Sequence, residues 1–348
     1  MNSPVPPEVF LSLRADRPVV DVRSPAEFAQ GHIPNAVNLP LFSDEERARV
    51  GTLYKQQGAW PAFLLGLRIA GPKLEGFVRQ AQKLSPHRRL AVHCWRGGQR
   101  SHSMAWLFQQ AGFEVSVLEG GYKRYRQYVL NGLEAQRLHL IVLGGKTGVG
   151  KTKILRALSQ MGEQVLDLER LAHHKGSSFG SIGEAPQPTN EQFENDLFDA
   201  MANLASQQRV WIENESRSIG RVYLPQGLWA QMKSAPLLDI EVPHACRVQN
   251  LINDYAAAPI AELEAAFRRI EKKLGGLRVK QALEALQRGD FAAAAEIALA
   301  YYDKTYRFEM DNSTAFLRQT LTFEHADPVE IARHCRLWAD KYQLTPLS

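Results

Sequence analysis

One octapeptide constrains this chain more than any other stretch. Residues Gly145–Thr152 read GKTGVGKT and match G-x4-G-K-[ST], with the apolar run Leu138–Leu143 (LHLIVL) before them and the helical stretch ILRALSQM after them. In such a loop the glycines let backbone N–H groups face a diphosphate, Lys151 neutralises it, and Thr152 would reach a Mg²⁺ if one is bound. All eight residues, Gly145, Lys146, Thr147, Gly148, Val149, Gly150, Lys151 and Thr152, are therefore diphosphate-binding candidates. A strand that hands over to a helix in this way belongs to a parallel α/β sheet. Further strand candidates follow at Gln164–Leu168, Val210–Glu213 and Pro236–Val242. Nothing in the octapeptide reads a base, and the chain contains no guanine-reading NKxD, which argues against a GTPase.

A second α/β series precedes the loop. Short apolar runs at 18–23 (PVVDVR), 90–93 (LAVH) and 115–118 (VSVL) alternate with helical stretches Pro25–Gln30 and Ser101–Ala111. The 348 residues exceed one ordinary core, so two domains are expected, residues 1–135 and 136–348, with a linker near Asn131–Gln136. Helical patterning over about 256–306, broken at Gly275-Gly276 and Gly289-Asp290, adds a segment to the second domain. No apolar run reaches membrane-spanning length and the first residues lack a signal-peptide pattern, so a soluble, cytoplasmic protein with no membrane partner is expected. Residues 1–137 carry 18 Lys+Arg against 11 Asp+Glu, so the whole-chain excess of +5 lies in the first part. Such a balance suits a polyanion such as RNA, although an ordinary solvated surface is the commoner reason for it.

The cysteines narrow to one. Cys94, Cys246 and Cys335 are far apart with no CxxC, which argues against a disulfide framework and a cysteine zinc site, and no metal ligand set is read elsewhere. Cys94 lies in HCWRGGQRS, between the strand LAV and the helix HSMAWLFQQAG. Backbone N–H groups at that handover, at the positive end of the helix dipole, surround an anion or a thiolate. Gly97 and Gly98 let the loop curl, and Arg96 and Arg100 add positive charge.

These residues resemble a known family. Residues 21–40, DVRSPAEFAQGHIPNAVNLP, look like the opening signature of rhodanese domains, and LEGGY at 118–122 resembles their closing strand and turn. The usual rhodanese loop is C-x-x-G-x-R, whereas Cys94-x5-Arg100 is one residue longer and also matches the HC-x5-R cradle of cysteine phosphatases. A rhodanese-like domain followed by this P-loop domain resembles the bacterial tRNA 2-selenouridine synthases. The supporting stretches are DLERLAHHKGSSFG (167–180), ENESRSIG (213–220) and YYDKTY (301–306); Lys175 stands where that family usually has arginine, and Lys304 where it has proline.

The resemblance implies a rhodanese-like parallel-sheet domain joined to a P-loop NTPase-like α/β domain. It also implies a transferase acting on wobble 2-thiouridine at position 34, of the 5-methylaminomethyl type, in tRNAs for Lys, Glu and Gln. Geranyl diphosphate would alkylate the sulfur, and selenium from selenophosphate would then replace it, with selenophosphate synthetase as supplier and no tightly bound cofactor. Cys94 would be nucleophile or carrier, with Arg96, Gly97, Gly98 and Arg100 holding the selenophosphate. Two alternatives stay open on the residues alone: a cysteine phosphatase or reductase fused to an ATP-binding kinase-like domain, and a non-catalytic RNA-binding module.

Other candidates surround the two loops. Glu213 and Glu215 fall where a Walker-B carboxylate would sit, or are ordinary loop acids, and Glu169 joins them as a second-site candidate. Arg217 and Arg221 are available to phosphate or RNA, and His173 and His174 to orientation or proton transfer, although plain polar contact is the commoner role for such residues. Lys123, Arg124, Tyr125 and Arg126 form a basic, aromatic run suited to tRNA, or else a linker helix packing its tyrosines. Phe179 and Gly176–Gly180 are candidates for a prenyl or base pocket, or equally a loop that is simply compact.

Overall fold

The structure is a computed structural model that describes residues 3–311, 315 and 317–342. The chain divides into two units, Met1–Gly132 with Glu194–Asp196, and Leu133–Phe193 with Leu197–Ser348.

In the first unit β1 (Val19–Asp21), β2 (Val37–Asn38), β3 (Arg89–His93) and β4 (Glu114–Val117) form a parallel sheet in the order β2-β1-β3-β4. Val5 forms a parallel bridge with Leu118, extending the pairing past β4. β1 is buried throughout and β3 from Leu90 onward, the signature of strands covered on both faces. Val20, Val22, Leu90, Val92 and Phe108 anchor the core. The helix Pro25–Gln30 begins as its sequence dictates, with proline in the first turn and a reciprocal capping box between Ser24 and Glu27. Two helices absent from the strand–helix pattern, Asp44–Gln57 and Ala59–Ala70, make a hairpin turned at Gly58 (φ 91°), and Leu74–Leu84 follows them.

In the second unit, the described residues form a parallel sheet of β5 (His139–Gly145), β6 (Gln164–Leu166), β7 (Arg209–Glu213), β10 (Leu237–Glu241) and β11 (Arg318–Thr322), ordered β11-β10-β5-β7-β6. A two-residue-strand hairpin, β8 (Ser218–Ile219) with β9 (Val222–Tyr223), lies between β7 and β10 in the chain. The helical tract runs through Ile260–Arg269, Glu271–Leu274, Gly276–Gln287 and Phe291–Asp311, and has its own core of Leu263, Phe267, Ala282, Leu286 and Ala298, joined by Phe179.

The linker expected near Asn131–Gln136 is helical: the helix Gly121–Ala135 runs through it, and the two units divide there, between Gly132 and Leu133. Tyr122, Tyr125, Val129 and Leu133 recur at helical spacing and are buried, so one apolar face carries the helix through Asn131-Gly132. The strand expected at Gln164–Leu168 stops at Leu166, since Asp167 accepts a hydrogen bond from the Arg170 N–H and caps a new helix, Leu168–Ala172.

An ion network, largely buried at Arg209 and Glu163 and exposed at Asp340, ties β7 to the helix Pro328–Lys341. Arg209 donates to both Glu163 oxygens at 2.7 Å and to Asp340 at 2.6 Å, while the Trp211 indole N–H donates to Glu163 at 3.0 Å. Burial favours a protonated Glu163, but Arg209 and Trp211 outweigh it and hold the carboxyl below its ordinary value. Arg209→Met leaves Glu163 without its main partner and is expected to destabilise this unit by about 3 kcal/mol in urea unfolding followed by tryptophan fluorescence. Because the folded pKa of Glu163 is depressed, the stabilisation is present above the unfolded glutamate pKa and is lost as pH falls through the folded one. The wild-type and variant stabilities should therefore converge on acidification.

Candidate functional site

The first site forms where β3 ends. β3 lies inside its sheet, so its last residues open onto the sheet's carboxyl edge, and Cys94 follows at once with its side chain buried. The Cys94 Sγ lies 3.2 Å from the Ser101 hydroxyl, which itself donates to the Gly98 carbonyl at 3.0 Å. Ser101 belongs to the helix Gln99–Gln110, whose N-terminus faces the loop. The N–H groups of Tyr122 and Lys123 donate to the carbonyls of Cys94 and Trp95 at 2.8 and 2.9 Å, so LEGGY buttresses the cysteine loop. Gly121 is at φ 61°, and a Cβ there would fall 2.3 Å from the Gly97 nitrogen and 2.4 Å from the Cys94 oxygen. Gly97, at φ 64°, is equally pressed against Gly120 and Gly121.

The charges of this loop are partly committed. Arg100 donates to Glu27 at 2.6 and 3.3 Å; burial opposes ionisation of Glu27, and Arg100 more than offsets it, so its pKa is lowered. Arg96 and Gly98 are exposed at the loop's surface. Beneath the loop, Arg23 bonds Asp21 at 2.6–3.0 Å and the Gly31 carbonyl at 2.7 Å, with its guanidinium 3.8 Å from the Tyr122 ring centre. His93, next to Cys94, is fully buried, and burial pushes its pKa down so that the imidazole is neutral.

The second site is the phosphate loop after β5, the central strand of its sheet. Gly145, Gly148 and Gly150 all have positive φ, and Lys151 reaches back to the Gly145 carbonyl at 3.2 Å. Thr152 donates to Glu169 at 2.8 Å, and the Glu169 N–H donates to Glu213 at 2.7 Å. Thus Thr152, Glu169 and Glu213 come together as oxygen groups beside the loop. Glu213 is buried, which pushes its pKa well up with help from Asp167 and Glu169. Among the described residues no group of three or more His, Cys, Asp or Glu side chains is placed to hold a metal ion.

Several residues that shape this loop carried no spacing signal. Arg247 donates to the Thr147 carbonyl at 2.8 Å while bonded to Asp303 at 2.5 and 3.0 Å, and Asn250 donates to the Gly148 carbonyl at 2.9 Å. The Tyr306 hydroxyl accepts from the Gly145 N–H at 2.7 Å and donates to Asp239 at 2.5 Å. Lys146 lies 3.6 Å from Glu241. YYDKTY thus supplies Asp303 and Tyr306 as loop supports; Arg247 and Asn250 sit on the helix His244–Tyr255, which no motif marked.

The remaining candidates are dispersed. Glu215 lies with its carboxylate against Gly176, where a Cβ would meet it at 2.5 Å. His173 caps its short helix in the left-handed region and its Nδ1 meets the Pro186 carbonyl at 3.0 Å, a structural role. Burial lowers the pKa of His174, which packs against Gly180. Arg217 and Arg221 are exposed at the small hairpin. The tRNA run is corrected in part: Tyr125 is buried, Arg124 pairs with Glu119, and Arg126 donates to Glu194 and Asn195 at 2.5 and 2.6 Å. Its tyrosine is therefore a packing residue of an amphipathic helix and offers no stacking face, and only Lys123 of the four is exposed without a partner among the described residues.

A pocket opens beside the phosphate loop. It is lined by Thr147, Phe179, Tyr255, Phe267, Ala294 and Ala298 among others and is partly open to solvent. Phe179 meets Phe267 edge to face at 5.0 Å, while the Ser178 N–H donates to the Tyr302 hydroxyl at 3.0 Å, so the Gly176–Gly180 loop is folded onto the helical tract.

Together these features define a two-site protein, a rhodanese-type cysteine loop on one parallel sheet and a phosphate loop with an apolar annex on another. Residues 7–128 match the rhodanese-like domain, and residues 138–325 match the tRNA 2-selenouridine synthase AAA domain. The tRNA 2-selenouridine synthase of Bdellovibrio bacteriovorus is 38% identical over 79% of this chain and 81% of its own, and that of Nitrosomonas europaea 36% over 81% and 84%. That of Bordetella bronchiseptica is 36% identical over 91% of this chain and 94% of its own. The chain belongs to the tRNA 2-selenouridine synthase family, a family of tRNA-modifying enzymes. No described helix is long and apolar enough to cross a membrane.

The glycine contact yields a test. Gly121→Ala must displace Gly97 and the Cys94 carbonyl, and it also strains a left-handed residue, at an expected cost of about 1–3 kcal/mol. Cys94-dependent turnover should fall by at least about ten-fold while the phosphate-loop unit keeps its own unfolding midpoint; unchanged turnover would show that the loop tolerates rearrangement.

Proposed function

We propose that this chain converts wobble 2-thiouridine of tRNAs for Lys, Glu and Gln into 2-selenouridine, through S-geranylation by geranyl diphosphate and then exchange with selenophosphate. The observation that carries the reading is the apolar pocket whose lining includes Thr147 of the phosphate loop. Its hydroxyl groups come from Thr147, Ser177, Tyr255 and Tyr302, and the rest of the lining is hydrocarbon, an environment suited to a prenyl tail beside a bound diphosphate.

In the first step the 2-thio sulfur attacks the prenyl carbon bonded to oxygen. A C–S bond forms, the C–O bond breaks, and diphosphate departs with the electron pair. Backbone N–H groups of the loop and Lys151 stabilise the charge that grows on the departing oxygens. In the second step selenium adds at C2, geranylthiol leaves with the electrons of the C–S bond, and water takes the phosphoryl group from selenium as phosphate. The Cys94 loop is the place for the selenium donor: the helix Gln99–Gln110 presents its N-terminus there and Arg96 is exposed beside it. Arg100 acts by holding Glu27 and the loop's shape, with its charge already shared.

Nucleoside mass spectrometry of reactions containing 2-thiouridine tRNA, geranyl diphosphate and selenophosphate separates the steps. Cys94→Ser is expected to abolish 2-selenouridine while geranylated nucleoside persists, and Lys151→Ala to slow geranyl transfer by about 10²–10³-fold. Both products unaffected would sink the assignment. Ala298→Phe fills the pocket and should cut transfer from geranyl diphosphate by about ten-fold or more, while five-carbon dimethylallyl diphosphate remains a substrate. Equal loss with both donors would instead indicate a misfolded pocket.

A further inference from the structure

The helix Ala59–Ala70 buries only Ala62, yet it is among the most apolar helices of the chain. Trp60, Phe63, Leu64 and Leu67 stand one turn apart on one face and are all exposed, Trp60 at 67% and Leu67 at 54%. The rings of Trp60 and Phe63 are already near-parallel, 29° apart with centres at 6.0 Å. Soluble proteins seldom leave such a stripe open without a partner.

The surroundings decide what that partner is. From Arg47 to Leu74 the chain carries five cations, Arg47, Arg49, Lys55, Arg68 and Lys73, and no acidic residue. Arg47 lies 3.7 Å from Glu27, Lys73 bonds Glu46 and Arg49 acts electrostatically on the same Glu46, whereas Lys55 and Arg68 are exposed and make no ion pair among the described residues. Arg68 falls two turns after Trp60, on the same face. Exposed flat rings set among unneutralised cations are the chemistry that takes up unpaired nucleotides, with bases stacking on rings and phosphates meeting Arg and Lys. A second copy of the same face would bring like charges together.

The hairpin also adjoins the cysteine loop. Asp44 accepts from the Ala26 N–H at 3.0 Å, and Arg47 approaches the same Glu27 that holds Arg100. Gly66 packs against the ring of Phe42, a core residue of this unit. We infer that the Trp60–Phe63–Arg68 face is a stacking surface for unpaired nucleotides of the tRNA, seated beside the Cys94 loop. The inference rests on the family's tRNA substrate and is independent of the prenyl reading.

Filter binding of unmodified and 2-thiolated tRNA to the full-length protein tests it. Stacking on one ring is lost in Trp60→Ala, and affinity should fall by about ten-fold, whereas Trp60→Phe keeps most of it. Arg68→Gln should weaken binding less and flatten its salt dependence. These side chains are exposed, so the variants should keep the wild-type melting temperature. Unchanged affinity in Trp60→Ala alongside normal wild-type binding would overturn the stacking surface alone. Wild-type self-association in sedimentation that Trp60→Ala abolishes would overturn it in favour of a dimer face. Wild-type protein that binds no tRNA would overturn both this inference and the proposed function.

Discussion

The end of a central parallel strand is the physical constraint on which both sites depend. There the hydrogen-bond ladder stops, the chain must turn sharply into a helix, and successive N–H groups are left facing a cavity instead of a neighbouring strand. β3 and β5 hold that position in their sheets. One turn carries a thiol and the other carries glycines and lysine. The side chains differ, but the backbone geometry that presents N–H groups at each turn is the same.

Such turns hold their shape only when something packs behind them. For the cysteine loop it is the Gly120-Gly121 turn, approaching closely enough that no Cβ fits at Gly121. For the phosphate loop it is a set of side chains from distant segments: Arg247 held by Asp303, Asn250, and Tyr306 bridging Gly145 and Asp239. Asp303 and Tyr306 belong to the long helix Phe291–Asp311, which also supplies Ala294 and Ala298 to the apolar pocket. One helix thus supports the phosphate loop and lines the space next to it. The helical tract is what gives an otherwise general phosphate loop a hydrocarbon neighbour.

The elements with short-range signatures were legible in the sequence. Pro25–Gln30 has the bounds its proline and capping box announce, and β3, β7 and β10 fall within a residue of the apolar runs that mark them. Asp167 was less legible, because an N-cap and a strand end look alike until the following turn is seen to be helical. The hairpin of 44–70 has no clear sequence signature for a different reason: its second helix is apolar on a face that is not a core face, so periodicity alone does not reveal its role. Glu169 and Glu213, candidates on sequence position alone, lie in a hydrogen-bonded chain with Thr152, whereas Arg247 and Asn250 act through carbonyls a hundred residues away and have no local signal.

Net charge illustrates the same limit. The excess of Lys and Arg in the first part of the chain points to a polyanion, but summation does not say where. Arg23 is spent on Asp21, Arg100 on Glu27, Arg124 on Glu119 and Arg126 on Glu194, so the run Lys123–Arg126 is basic in sequence and nearly neutral in space. Exposed cations without an ion pair among the described residues include Arg96 and Lys123 as well as Lys55 and Arg68, and the last two lie in the stretch Arg47–Leu74, which carries no acidic residue of its own. An ion-paired arginine must give up its carboxylate before it can take a phosphate, while a solvated one releases only counterions. Affinity for RNA should therefore follow the unpaired cations and the open rings between them, and the acid-free segment describes the binding face better than the charge of the whole domain.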